Sequence, residues 1–251
     1  MIPVEPATVD RLLGTEPVSH RSTALRHASI HQQPGLWGDR PDRASSVVWL
    51  REGDENRWEA FATGEPEPAL DWLARTLPGQ TIALLAPRSW ENPVRSREEP
   101  VATATIRTWR GWQSRDRPVS QQKHQKLSID SEAGFRQLAP SWALRSWGSF
   151  EALIESGLAI GVATAEGWIA LAWTYESDLI HDKIGVVTHP RYRRLGLGRD
   201  VAGALVDAIV NDRRKRPIWV TSSENTASIA LANSLGFRNP DSETLLIWTP
   251  G

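Results

Sequence analysis

Residues 183–199 read KIGVVTHPRYRRLGLGR, and this stretch decides the fold. The run 183–188 predicts a strand, because β-branched residues favour extended backbone. A turn led by Pro190 follows, and a basic, glycine-containing loop continues to Gly198. From Arg199 to about Asp212 apolar residues recur every three or four positions, which predicts an amphipathic helix. Its apolar stripe consists of Val201, Ala204, Leu205, Ala208 and Ile209.

The loop between this strand and this helix has the chemistry of an anion site. Gly196 and Gly198 lack a Cβ, so a ligand can approach the backbone closely. The first amides of a helix have no partner within the helix, and the helix dipole adds a partial positive charge there. Because Arg193, Arg194 and Arg199 surround these amides, we expect a pyrophosphate to bind.

Two common pyrophosphate motifs do not match this loop. A dinucleotide fingerprint needs a third glycine at position 201, where the chain has Val201. A P-loop needs Gly-Lys followed by Ser or Thr, and the loop lacks that sequence. The remaining pattern is an arginine followed by two spaced glycines after a strand.

A second segment, WVTSSENTASIALANSLGF at residues 219–237, helps to identify the ligand of this loop. It predicts a strand, an asparagine that opens a helix, and a Leu-Gly-Phe ending. Together the two segments resemble the coenzyme A loop and the following segment of the GCN5-related N-acetyltransferase (GNAT) superfamily. Residues 140–148, PSWALRSWG, are similar to a bacterial subgroup that includes antibiotic self-resistance acetyltransferases. The resemblance covers residues 140–250.

The resemblance implies a fold, a cofactor and a reaction. The fold is α/β (α+β), with a mixed, mostly antiparallel central sheet that splays at the cofactor cleft. The cofactor is acetyl-CoA, no metal is needed, and the acetyl group passes directly to a primary amine. A backbone N–H near Val186 or Val187 polarises the thioester carbonyl. The implied cofactor-binding residues are Val186, Val187, Thr188, Arg193, Arg194, Leu195, Gly196, Leu197, Gly198, Arg199, Asn225 and Ser228.

An ammonium acceptor must lose a proton before it attacks, so a carboxylate or histidine near the cleft is expected. The candidates are Glu176, Asp178, His181 and Asp182, with Glu176 first because it ends a strand next to the cleft. The alternative interpretation is that each is a solvated loop residue.

The residue that protonates the departing thiolate is less clear from the sequence. Many relatives have a tyrosine four residues before the glycine of Leu-Gly-Phe, and this chain has Ala232 there. Either the thiolate leaves unassisted, or another group such as Ser228 helps, or the domain binds acyl-CoA without fast turnover. The last option is a non-catalytic acyl-CoA sensor or partner-docking module.

The charge balance, the cysteine count and the apolar runs of the sequence limit which partners and which cellular location are expected. The net charge of −1 argues against a nucleic-acid partner. The basic run 213–216 is interpreted as cations that favour the C-terminal end of the helix dipole, and a site for tRNA or another acidic partner is the weaker idea. The chain has no cysteine, which excludes disulfides and thiolate metal sites. We see neither a signal peptide nor a transmembrane run, so a cytoplasmic enzyme is expected, with a small-molecule or protein amine as acceptor and no membrane partner.

We expect three regions: an irregular segment 1–44, an α/β region 45–125 that resembles a degenerate GNAT half, and the acetyltransferase domain 126–251. The N-terminal half is expected to shape the acceptor side of the cleft or to form contacts in a homodimer. His20, His27 and His31 are interpreted as surface residues.

The predicted elements are strands 46–50, 58–62, 81–86, 101–109, 157–163, 168–175, 218–221 and 244–248, helices 68–77, 149–155 and 225–235, loop 32–41 and linker 111–126.

Overall fold

A computed structural model of the chain describes residues 4–14, 18–40, 44–54, 56–97, 101–113 and 123–251. The protein is an α/β chain that folds as two compact units. The first unit comprises Met1–Thr108 and Asp241–Gly251, and the second comprises Trp109–Pro240. These bounds differ from those of the three expected regions. None of the described helices has the length and apolar character that crossing a membrane requires.

The first half of the chain alternates helices and short strands. Glycine, proline or aspartate lies close to an end of most of these strands, and these residues favour turns. The elements are α1 (Pro6–Leu13), α2 (His20–Ile30), β1 (Leu36–Gly38), β2 (Ser46–Glu52), β3 (Trp58–Gly64), α3 (Pro66–Thr76), β4 (Ile82–Leu85), α4 (Glu91–Arg97) and β5 (Ala102–Trp112).

Among the described residues, the second half contains the longest strand and the longest helix. The elements are β6 (Gln125–Lys126), α5 (Glu132–Leu138), α6 (Phe150–Ser156), β7 (Ala159–Thr164), β8 (Gly167–Ser177), β9 (His181–Thr188), α7 (Leu197–Asn211), β10 (Arg216–Ser222), α8 (Thr226–Ser234) and β11 (Phe237–Trp248). Strands β5 and β11 each contribute residues to both units.

In the first unit, a sheet in the order β1-β2-β3-β4-β11 carries helices on both faces. Only the β3–β4 pair is parallel among the pairs of this order, and α3 makes the crossover between those strands. Successive residues of β2 point to opposite faces: Trp49 packs with α1 and α2, whereas Val48 packs with α3 and α4. Both faces of β2 are therefore buried.

The expectation that residues 1–44 are irregular is wrong. Helix α2 lies there, and Ser19 caps it through a reciprocal pair of hydrogen bonds with Ser22. The loop expected at 32–41 contains β1. His27 is buried and its ring lies 4.5 Å from that of His31, so it is not a surface residue. Helix α2 has no apolar stripe because it also buries polar residues, among them Arg21, Ser22, Thr23 and Ser29.

In the second unit, the sheet order is β10-β9-β8-β7-β6. The pair β9–β10 is parallel and the other pairs are antiparallel. Helix α7 packs on one face against Ala170, Ala172 and Ile184. Helices α5 and α6 pack on the other face against Leu171 and Trp173. This alternation follows from the two-residue period of β8 and β9.

Several predictions for this unit are confirmed. The hydroxyl of Ser149 caps α6 by accepting from the amide of Ala152 at 3.0 Å. The predicted hairpin is β7–β8, which closes with Thr164 opposite Gly167. Helix α7 begins two residues earlier than expected. Of the predicted linker 111–126, residues 114–122 lie outside the described residues, residues 111–112 belong to β5, and residues 125–126 form β6.

Candidate functional site

The site is a gap in the sheet between β9 and β10. The two strands pair in parallel at three positions, of which the last is Lys183 opposite Ile218. Beyond this position β9 continues to Thr188 and β10 continues to Ser222. In the part of the chain that the structure describes, the two strands do not pair with each other there. The other edge of β9 remains paired with β8 up to Thr188. One edge of β9 therefore faces an open cleft.

The cleft holds a cavity of about 730 Å³ that lies entirely within the second unit. Eleven of the twelve residues expected to bind a cofactor line it: Val186, Val187, Thr188, Arg193, Arg194, Gly196, Leu197, Gly198, Arg199, Asn225 and Ser228. The exception is Leu195, whose side chain is exposed.

The loop after β9 is shaped by two residues in the left-handed region. Gly196, the N-cap of α7, has φ of +82°, and no heavy atom beyond its two chain neighbours lies within 4 Å of the place where a Cβ would stand. Arg194 has φ of 65°, which is costly for a residue with a side chain. At Gly198 a Cβ would lie 3.0 Å from Oγ1 of Thr188. The backbone of this loop is therefore open on the cleft side and close to β9.

The first turn of α7 presents unpaired amides to the cleft. Among the described residues, Asp200 is the first of α7 whose amide has a backbone acceptor, the carbonyl of Gly196 at 3.0 Å. The amides of Leu197, Gly198 and Arg199 have none, and no side chain caps the helix. Unpaired amides at the positive end of a fifteen-residue helix attract an anion.

Helix α8 forms the opposite wall. Asn225 opens the helix, and its Oδ1 accepts from the amide of Ser228 at 3.0 Å. The indole Nε1 of Trp219 donates to Oγ of Ser228 at 3.0 Å, which leaves the hydroxyl proton of Ser228 for a different acceptor. Ala232, one turn further on, is fully buried in the core.

Glu176 does not line the cleft, and it is not a solvated loop residue. It lies in β8, fully buried, and its carboxylate forms an ion pair with Nζ of Lys183. The hydroxyl of Ser146 also donates to its Oε1 at 3.2 Å. The carboxylate is thus held between a strand neighbour and the segment before α6.

Asp182 is also buried, in β9, and lies outside the cleft lining. Its carboxylate accepts from Oγ of Ser177 at 2.6 Å and from Nε of Arg213 at 2.6 Å, and Nζ of Lys215 is 3.5 Å away. Two cations of the basic run 213–216 therefore point inward to Asp182. This cluster joins the end of α7 to β8 and β9.

Asp178 and His181 shape the turn between β8 and β9. The carboxylate of Asp178 accepts from the amides of Ile180 at 2.8 Å and His181 at 2.6 Å, and Nδ1 of His181 lies 3.1 Å away. Burial raises the pKa of Asp178, but the hydrogen bonds and charge of His181 and the amide of Ile180 outweigh it and hold the pKa below its usual value. Neither residue lines the cleft.

A model of the GNAT acetyltransferase family matches residues 120–245. The chain belongs to the GNAT acetyltransferase family. A comparison with curated proteins found no match. The resemblance to a self-resistance subgroup stays a prediction.

Solved structures of GNAT proteins share the fold. A GCN5-related N-acetyltransferase-like protein from Streptococcus suis is 20% identical with a TM-score of 0.72, covering 97% of this chain and 98% of that chain. A tandem GNAT protein from the clavulanic acid biosynthesis pathway is 11% identical with a TM-score of 0.64, covering 100% and 98%. A GNAT-family acetyltransferase from Colwellia psychrerythraea is 12% identical with a TM-score of 0.61, covering 96% and 93%. The mixed, mostly antiparallel sheet expected from the sequence is confirmed.

The GNAT cleft also contains residues that the sequence did not single out. Trp142, Tyr192 and Trp219 line it. Trp219 lies within the predicted strand 218–221, so the sequence alone places it beside the loop. Trp142 lies far away in the chain, and no local pattern links it to the loop. In the described part of the chain, no group of three histidine or acidic side chains could hold a metal ion.

Proposed function

We propose that the second unit transfers an acetyl group from acetyl-CoA to a primary amine. The observation that carries the proposal is the cleft between β9 and β10, with the anion-binding end of α7 at one side. Its residues fit the cofactor, since unpaired amides and arginines suit phosphates and a free strand edge suits the amides of pantetheine. The family membership of residues 120–245 supports the same activity.

Each part of the cleft has a task in this proposal. The amides of Leu197, Gly198 and Arg199, with the side chains of Arg193 and Arg194, hold the phosphates. The free edge of β9 around Val186–Thr188 binds the pantetheine amides as an added strand would, and Asn225 and Ser228 bound the cleft opposite. Bound acetyl-CoA supplies a thioester whose acetyl group passes to a neutral amine nitrogen.

Backbone and side-chain groups of the chain complete the chemistry. An amide of β9 near Val186 or Val187 donates to the thioester carbonyl and polarises it. Of the residues expected to act as acid or base, Ser228 is the one that lines the cleft. Because Nε1 of Trp219 donates to the oxygen of Ser228, the hydroxyl proton of Ser228 is available for a hydrogen bond to the departing sulfur. Glu176 and Asp182 are held in buried ion pairs, and we assign them to positioning β8 and β9.

Calorimetric titration tests the cofactor. Acetyl-CoA should bind the wild type, and the double variant Arg194→Glu, Gly196→Asp should lose binding because it places two negative charges at the phosphate site. Arg191→Glu is the matched control, since Arg191 lies in the same loop, is exposed and does not line the cleft. An unchanged affinity in the double variant would place the cofactor elsewhere.

Release of free thiol tests the reaction. Wild type mixed with acetyl-CoA and a panel of primary amines should release CoA at a rate that depends on the amine. Tight binding of acetyl-CoA without amine-dependent thiol release would instead favour a non-catalytic acyl-CoA sensor. No binding to the wild type would contradict both functions.

A further inference from the structure

One residue of the cleft comes from a separate part of the chain. All other described residues that line it lie between 184 and 231, whereas Trp142 lies in the short 3-10 helix Ser141–Leu144. This helix precedes α6 on the sheet face opposite α7.

The placement of Trp142 follows from the alternation of β9. Ile184 and Val186 pack with the core under α7. Val187 packs with the opposite core, and Trp142 packs with that same core. Since residues of both faces line one cavity, the cleft passes through the sheet where β10 leaves β9. The anion site is at the end of β9 beside α7, and Trp142 bounds the opening on the other face.

The indole of Trp142 is fixed by two aromatic neighbours. Its centroid is 5.5 Å from that of Trp173 and 5.2 Å from that of Tyr175, the latter in edge-to-face geometry at 89°. Trp173 is itself held, because its Nε1 donates to the carbonyl of Ala143 at 3.1 Å and its ring fills the place of a side chain at Gly185. A Cβ on Gly185 would lie 2.5 Å from that ring. Trp142 therefore presents a rigid, half-buried aromatic surface to the cleft.

We propose that Trp142 selects the acceptor, and that the acceptor is a primary amine carrying a flat aromatic group. This inference rests on the proposed acetyltransferase function. An amine must reach the thioester from the opening that the phosphates do not occupy, and that opening is bounded by Trp142. A flat ring packs on an indole in offset-stacked or edge-to-face geometry and gains more than its buried area alone provides. A puckered ring of the same size lacks that additional gain.

The test compares benzylamine with cyclohexylmethylamine, which has the same carbon skeleton but a puckered ring. Thiol release gives kcat/KM for each amine in wild type, Trp142→Leu and Trp142→Phe. We expect wild type to prefer benzylamine, Trp142→Leu to lose about three- to tenfold of that preference, and Trp142→Phe to keep most of it. An equal preference in wild type and Trp142→Leu would overturn the proposal.

Two binding measurements separate this inference from the cofactor assignment. The affinity for CoA should be the same in wild type and Trp142→Leu; a matching loss would assign Trp142 to the cofactor and contradict the proposal. N-benzylacetamide, the product of benzylamine acetylation, should bind the protein–CoA complex about three- to tenfold more weakly in Trp142→Leu. That titration needs no turnover, so it decides the proposal even if no amine is acetylated.

If the leucine variant unfolds, a preference retained in Trp142→Phe but absent in Trp142→Ile supports the proposal, and equal preferences contradict it.

Discussion

The ammonium of Lys183 forms a buried ion pair with the carboxylate of Glu176 at the residue where β10 leaves β9. The side chain of Lys183 is 2% exposed and that of Glu176 is fully buried. Lys183 is the last residue of β9 that pairs with β10, and Glu176 lies where the β8–β9 register is irregular. An irregular register redirects side chains, which explains how the two charges meet on one face. The pair thus joins β8 and β9 at the apex of the cleft.

Breaking this pair should destabilise the protein strongly. Lys183→Met leaves a buried carboxylate without its cation, and we expect a loss of about 3–5 kcal/mol in the free energy of unfolding. The double variant Lys183→Met, Glu176→Leu should recover most of that loss, because it removes both charges together. Urea unfolding followed by circular dichroism measures both.

The matched control is the exposed pair of Arg136 and Glu132 on α5, whose side chains are 56% and 43% exposed. Arg136→Met should cost less than about 1 kcal/mol because exposed pairs contribute little. Equal losses for Lys183→Met and Arg136→Met would mean that the buried pair does not stabilise the apex.

The arginines of the loop should act on cofactor affinity. Each of Arg193→Gln, Arg194→Gln and Arg199→Gln should weaken CoA binding by about tenfold, because each removes a charge-assisted contact to a phosphate. The losses should shrink at high salt, since exposed charges are screened there. Titration calorimetry at low and high salt measures this. Arg191→Gln serves as control, and a loss as large in that variant would indicate a general field effect rather than a site.

Local signals were sufficient for the strand–loop–helix unit. The spacing of Gly196 and Gly198 after a strand predicted an open helix N-terminus, and the structure leaves the amides there unpaired. Asn225 before an apolar run predicted a helix start, and its side chain caps α8. These features depend on residues close in the chain, so the sequence alone specifies them.

Features that depend on distant residues were missed. Glu176 and Asp182 were open to interpretation as solvated loop residues, because their cations Lys183 and Arg213 become partners only after β8, β9 and α7 have packed. Helix α2 was not predicted, because it buries polar as well as apolar residues and its apolar residues therefore do not recur at helical spacing. Trp142 reaches the cleft only through the packing of a 3-10 helix on the sheet.

Substitution of Asp182 separates a structural role from a catalytic one. Asp182→Asn leaves Arg213 and Lys215 facing a neutral amide, and we expect a loss of about 3 kcal/mol in the free energy of unfolding. Well below the unfolding temperature, kcat should change less than about threefold, whereas removal of a general base costs about a hundredfold or more. Thiol-release kinetics across pH measure this. Loss of the acidic limb of the kcat/KM profile in Asp182→Asn would show that Asp182 is the base.

Acid should remove the contribution of Asp178 to stability. Its pKa in the folded protein is lowered: burial acts to raise it, but the contacts with His181 and the amides of Ile180 and His181 prevail. A carboxyl with a lowered pKa stabilises the fold above its unfolded pKa of about 4, and that stabilisation disappears as pH falls through the folded pKa. The difference in unfolding free energy between wild type and Asp178→Asn should therefore be constant near neutral pH and shrink below about pH 4.

Urea unfolding of wild type and Asp178→Asn between about pH 6 and about pH 3 measures that difference. Asp39, whose pKa is also lowered, belongs to the first unit and is present in both chains, so its own acid response cancels. His181 and Lys215 face Asp178 and are present in both proteins, so the comparison isolates the carboxyl of Asp178. A difference that stays constant down to about pH 3 would mean that the carboxylate of Asp178 gains nothing from these contacts.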